Sequence, residues 1–178
     1  SKKTEFVITR ENKIDFQNMI ADFAIVSEHA IPDFVKTYLE LMFNNFVRYI
    51  GDDFYTLPPS FITEFPTEHC VSQSIEGSYL VNTYFSMDED TSIEFATRYS
   101  GEYFDEFNEY VSASIEDLLN LHNGLFIVNA SNERSNELSI GVIDFHDNEI
   151  LEFDHPAFLF PICYPFGIVY FIMEVLRV

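Results

Sequence analysis

Residues 112–124 read SASIEDLLNLHNG, and they lie inside the stretch on which the reading of this chain turns. Working outward from them, Phe104, Phe107, Tyr110 or Val111, Ile115, Leu118, Leu119 and His122 recur at i, i+3, i+4. That spacing predicts a long amphipathic helix over Tyr103 to Asn123 with those residues on its core face. Asn123-Gly124 supplies a helix stop. On the opposite face the same register leaves Glu106, Glu109, Ala113, Glu116, Asp117 and Asn120, and it makes Asp117 and Asn120 neighbours.

Beyond Gly124, Leu125–Val128, Glu137–Phe145 and Glu149–Phe153 have strand content, and His146-Asp147-Asn148 suits a hairpin turn between the last two. A final strand is expected from Gly167 toward Val178, after Pro156, Pro161 and Pro165, which fit a sheet edge or bend. Upstream, Thr91 with Glu94 forms a capping-box pattern that opens a short helix ending at Ser100-Gly101. Phe61–Phe65 and Ile75–Phe85 read as strands. Before them, Ile31-Pro32-Asp33 starts another long helix, with Val35, Leu39, Met42, Phe43, Phe46 and Ile50 on one stripe and Gly51 as its close. Residues 1–20 are expected to form an N-terminal strand or arm, and 21–178 the domain. The order of elements predicts an α+β fold, two long helices packed on one face of a largely antiparallel sheet. Its two halves suggest a duplicated unit.

Composition agrees with one globular domain. The chain has 178 residues, 47% hydrophobic and 17% aromatic, with 20 Phe and 10 Tyr, enough apolar material for a core without disulfides or a structural metal. Cys70 and Cys163 stand far apart with no metal-ligand spacing, as expected of a reduced cytoplasmic protein. Lys plus Arg is 9 and Asp plus Glu is 30, a net charge of −21 that disfavours nucleic acid and anionic membrane as partners. No basic residue occurs between Tyr49 and Thr97, or between Tyr99 and Glu133, so a partner docking there would bring the positive charge. The same acidity also serves to keep a Phe-rich chain in solution. No apolar run is long enough to span a bilayer, and the opening Ser1-Lys2-Lys3-Thr4-Glu5 is not followed by a signal-type core.

The chain contains no phosphate-cradling glycine loop, no nucleophile elbow and no paired-histidine zinc motif. Its histidines are scattered, so no metal site is expected. What remains is the exposed helix face. A carboxylate and an amide on one rigid helix can act in trans, the acid gripping a partner's cation and the amide positioning an attacking water. The plainer account is that every amphipathic helix carries polar residues outside.

Ser112–Gly124 resembles the signature helix of the CheC/CheX family of chemotaxis phosphatases, in which Glu is followed three residues later by Asn and then by an apolar residue and Gly. Gly77–Phe85 resembles the family strand before that helix, and Phe160–Phe171 its closing edge. The likeness runs over about residues 21–178, more by order of elements than by identity. It implies a CheC/CheX-like fold and hydrolysis of the aspartyl phosphate of a response-regulator receiver such as CheY. By position, Asn120 matches the family Asn, and Asp117 occupies the place of the Glu that contacts a receiver Lys. Ala113 stands where Asp or Ser is expected, and Ile143 where Pro is expected. Glu116, i−4 from Asn120, is the second acidic candidate for contact with the receiver. The first helix carries no second signature, since Glu40 and Asn44 are wrongly spaced, which corresponds to the single-site CheX type. The resemblance further implies no cofactor of the chain's own, with Mg²⁺ expected on the receiver. The alternative is a non-catalytic receiver-binding or dimerisation module that lost the active acid, and exposed strand edges make a homodimer a further expectation.

Overall fold

From Asp33 onward nearly every third or fourth side chain is apolar, and this stretch forms helix α1 (Asp33–Tyr49), burying Val35, Tyr38, Leu39, Met42 and Phe46. Asp33 in its first turn and Arg48 in its last complement the helix dipole. The structure, a computed structural model, describes residues 32–133 and 137–177, so the arm expected over 1–20 lies outside the described residues.

Helix α2 (Glu89–Ser100) starts earlier than the capping-box pattern predicts. Its cap is Asp88, whose side chain accepts from the Thr91 amide at 2.8 Å, while Glu94 pairs with Arg98 at 3.2 Å instead of reaching back. Gly101, at φ +75°, ends the helix as expected.

Helix α3 (Glu109–Glu133) begins after Tyr103 and runs straight through Asn123-Gly124, against the predicted stop. The Asn108 side chain caps its start by accepting from Tyr110 and Val111 amides. Asn123 does not terminate the helix because its amide is spent on tertiary partners, Tyr38, Gln73 and Thr83. Leu125–Val128 are consequently helical, not a strand, with Phe126 turned into the core.

The sheet is antiparallel at every described pairing. Its strands are β1 (Tyr55–Thr56), β2 (Ser60–Pro66), β3 (His69–Gly77), β4 (Leu80–Met87), β5 (Leu138–Phe145), β6 (Ile150–Tyr164) and β7 (Gly167–Arg177). The order is β1-β6-β7-β4-β3-β5, with β2 also paired to β6. With the two-residue β1 set aside, the pairing pattern is unchanged when β2, β3 and β4 are exchanged with β5, β6 and β7 respectively, which gives topological substance to the suspected duplication.

Three local expectations are corrected. Ile75–Phe85 is not one strand: the chain reverses after Gly77, at φ +145°, where a Cβ would collide with the Glu137 carbonyl. His146–Asn148 is not a hairpin turn, because β5 pairs with β3 whereas β6 pairs with β2 and β7. Instead the His146 and Asn148 amides donate to the Cys70 and Glu68 carbonyls, carrying the chain round a corner. Finally, Pro156 and Pro161 lie inside β6. The Pro161 carbonyl accepts from Leu57 at the gap between β1 and β2, so its missing N–H falls where no strand needs it. Pro156 falls where the β2–β6 register slips between Ile62↔Ala157 and Glu64↔Glu152.

The helices cover one face of the sheet. Val71, Ile75, Val81, Phe85, Phe160, Val169 and Phe171 join the helix residues in the main core. On the other face Cys70, Tyr84 and Ile172 pack with Leu151, Phe153 and Ala157 of β6 in a smaller cluster.

Candidate functional site

The inward face of α3 is sealed by Val111, Ile115, Leu118 and Leu119, each buried, and this fixes which side chains the helix shows to solvent. Ala113, Asp117 and Asn120 are exposed on one side of it, one turn apart, and Glu116 is half-buried on the flank. The structure therefore brings Asp117 and Asn120 together on a rigid element and leaves Glu116 off their line. Tyr110 and Val128, 63% and 60% exposed, extend the same face with apolar area.

Each of the two polar residues is held from a different neighbouring element. Asp117 Oδ2 accepts from the Tyr99 hydroxyl of α2 at 2.5 Å. Burial and then this carboxylate push the Tyr99 phenol above its ordinary pKa, so Tyr99 remains the donor. Asn120 Oδ1 accepts from Gln73 Nε2 of β3 at 2.9 Å. Gln73 is buried between Val71 and Ile75 on the helix-facing side of its strand, and its Nε2 also donates to the Gly141 carbonyl at 3.0 Å. Its Oε1 accepts from Asn123, which accepts in turn from Tyr38. Ile143 is the register partner of Gln73, so the position where the signature expects Pro borders the Asn120 support.

Gln73 and Tyr99 escape a reading of the helix alone because they reach it from other elements. A signal for Gln73 does exist: a glutamine at the inward position of a strand otherwise reading Val71 and Ile75 must find hydrogen-bond partners in the core.

Other polar groups have structural duties. His122 is buried, its Nδ1 2.9 Å from Asn45 Nδ2, and burial lowers its pKa to about 3, so it is neutral. Burial pushes the Cys70 thiol up to about 12, far from a reactive thiolate. On the outer face, His146 lies 2.8 Å from Ser72 Oγ and 2.7 Å from Glu149 Oε1, a serine–histidine–acid chain. Asp144 sits opposite Ser72 in register, and Asp147 bonds the neighbouring Cys70 amide. Such an acidic surround opposes an oxyanion, and the three residues brace the corner between β5 and β6. Among the described residues, no group of three His, Cys, Asp or Glu could hold a metal ion. No helix among them is long and apolar enough to cross a membrane.

An antiparallel sheet covered on one face by helices, the long α3 among them, is the CheC/CheX-like fold, and solved structures of such proteins share it. The CheX–CheY–BeF₃–Mg²⁺ complex from Borrelia burgdorferi matches with TM-score 0.69 and 17% identity, over 80% of this chain and 97% of that one. Chemotaxis protein CheX from Desulfovibrio desulfuricans matches with TM-score 0.67 and 10% identity, over 81% and 99%. A CheC-like superfamily protein from Shewanella sp. PV-4 matches with TM-score 0.67 and 15% identity, over 80% and 97%. No protein-family model and no curated protein matches the sequence.

Proposed function

We propose that this chain is a cytoplasmic CheX-like phosphatase that hydrolyses the aspartyl phosphate of a CheY-like receiver. The observation that carries the reading is the joint exposure of Asp117 and Asn120 on α3, each fixed by a partner from another element. In support, a structural neighbour is a CheX in complex with CheY.

In this reading the receiver supplies the acyl phosphate, its Mg²⁺ and a Lys. Asp117 pairs with that Lys, with Glu116 as a second acid on the flank, and the small Ala113 side chain leaves room for the receiver one turn earlier. Asn120 orients a water in line with the phosphorus. Water adds to phosphorus, the bond from phosphorus to the receiver carboxylate oxygen breaks, and inorganic phosphate and the free carboxylate result. Such positioning is the larger part of phosphoryl-transfer catalysis. The chain's net charge of −21 suits a partner that presents a cation at the contact. The test is Asn120→Ala, which should abolish accelerated dephosphorylation while leaving receiver binding within about threefold. Equal rates for variant and wild type contradict the mechanism.

One observation favours a second reading, a receiver-binding or dimerising module without catalysis. Asp117 is a methylene shorter than the Glu of the signature, and its Oδ2 is engaged by Tyr99. Binding of a phosphorylated receiver with unchanged decay would select that reading. β5, an edge strand with Val142 85% exposed, is the place where a second copy would add in a homodimer.

A further inference from the structure

An asparagine amide has two end-for-end orientations, and the surrounding hydrogen bonds decide between them. For Asn120 the decision is made in the core. The Gly141 carbonyl can only accept, so the Gln73 atom 3.0 Å from it is the donor Nε2. Gln73 Oε1 therefore faces Asn123, whose Nδ2 donates to it at 3.0 Å and to Thr83 Oγ1 at 3.0 Å. Thr83 cannot reverse that bond, because its own proton goes to the Gln73 carbonyl at 2.8 Å. Asn123 Oδ1 is left to accept from the Tyr38 hydroxyl at 2.6 Å. The remaining Nε2 proton of Gln73 points to Asn120 at 2.9 Å, so Asn120 must turn Oδ1 inward. One Oδ1 lone pair and the Nδ2 protons stay available on the exposed side.

The backbone is shaped for this arrangement. Register passes from Gln73↔Ile143 to Ile75↔Ile140, an extra residue on β5 that forms a bulge at the level of Gly141. Bulges re-aim groups near sites, and this one accompanies the Gly141 carbonyl that takes the first Gln73 proton. A buried glutamine costs stability relative to an apolar residue unless every polar atom is served, and here both ends are.

We infer that Gln73 is a positioning residue for the hydrolysis proposed above: its hydrogen bond to Oδ1 fixes the orientation of the Asn120 amide and hence the donor and acceptor set offered to the attacking water. The inference rests on Asn120 acting as that reading has it.

The test follows the decay of a phosphorylated CheY-like receiver over a range of chain concentrations, for wild type, Gln73→Met, Asn120→Ala and the double variant. Methionine keeps the length of glutamine and removes the donor. The maximal acceleration should fall by about 10- to 100-fold in Gln73→Met, while the half-saturating concentration stays within about twofold. With the double variant, decay should run at the receiver's own rate, as with Asn120→Ala, and acceleration by the double variant beyond that of Asn120→Ala overturns the inference, because Gln73 would then not act through Asn120. A wild-type maximal rate in Gln73→Met beside an inactive Asn120→Ala overturns this inference and leaves the phosphatase reading standing. A wild-type rate in Asn120→Ala overturns both. If Gln73→Met does not fold, Gln73→Glu replaces it, being of similar shape but unable to donate when ionised. Side-chain amide exchange in the wild type decides independently of any variant. Gln73 protons should exchange at least about tenfold more slowly than those of Asn120, and equal rates overturn the inference.

Discussion

The Tyr99 hydroxyl donates to Asp117 Oδ2 across 2.5 Å, tying α2 to the exposed acid of α3. The bond holds a short carboxylate in one rotamer, so a partner's cation meets a pre-set group and not a mobile one. Tyr99→Phe should weaken receiver docking by about three- to tenfold and leave the maximal decay rate unchanged, read from the concentration dependence of decay. Tighter docking in the variant would mean that Tyr99 restrains the acid instead of presenting it.

His122 gives the fold a dependence on pH. Its folded pKa of about 3 lies below the ordinary 6.5, so between those values the unfolded chain binds a proton that the folded chain refuses. The stability that depends on neutral His122 is complete above about pH 6.5 and is lost as pH falls toward 3, on the order of 5 kcal/mol across the window. Denaturant unfolding at a series of pH values should show this slope in the wild type. His122→Gln, which keeps an acceptor for Asn45, should lack that component; an identical slope in both proteins would refute it.

Asn123 joins Tyr38, Gln73 and Thr83 in the core. Asn123→Leu keeps the branching of the side chain and strands those partners. It should cost about 2–4 kcal/mol by denaturant unfolding, more than the ordinary worth of one hydrogen bond. A loss below about 1 kcal/mol would show that the network carries little of the stability.

The reversal between β3 and β4 needs a residue without a Cβ. Gly77→Ala, at φ +145° and against the Glu137 carbonyl, should destabilise by about 2–4 kcal/mol and lower Tm by about 5–10 °C. An unchanged Tm would mean that the turn relaxes freely.

What the sequence made legible follows from periodicity. Val35, Leu39, Met42 and Phe46 marked α1, and Ile115, Leu118 and Leu119 marked the buried face of α3, so the exposure of Ala113, Asp117 and Asn120 followed from geometry. The α+β class and the antiparallel sheet came from the same patterns. Local signals failed where tertiary bonds outbid them. Asn123-Gly124 reads as a stop, but Asn123 finds three partners in the core and the helix continues. His146-Asp147-Asn148 reads as a hairpin, but the Thr67 hydroxyl donates to the His146 carbonyl and the Thr67 amide to the Glu149 carbonyl, and these turn the chain into another pairing. The supports of the site were the least legible, because Tyr99 and Gln73 lie 18 and 47 positions from the residues they hold. No local pattern reports a contact of that separation.

Whether Asn120 directs water at a receiver's phospho-aspartate is decided by the decay of a phosphorylated CheY-like receiver in excess over the purified chain, with Asn120→Ala in parallel. The wild type should dephosphorylate many receivers per chain, and with the variant decay should run at the receiver's own rate. Decay unchanged by the wild type, or accelerated equally by both proteins, would contradict that role.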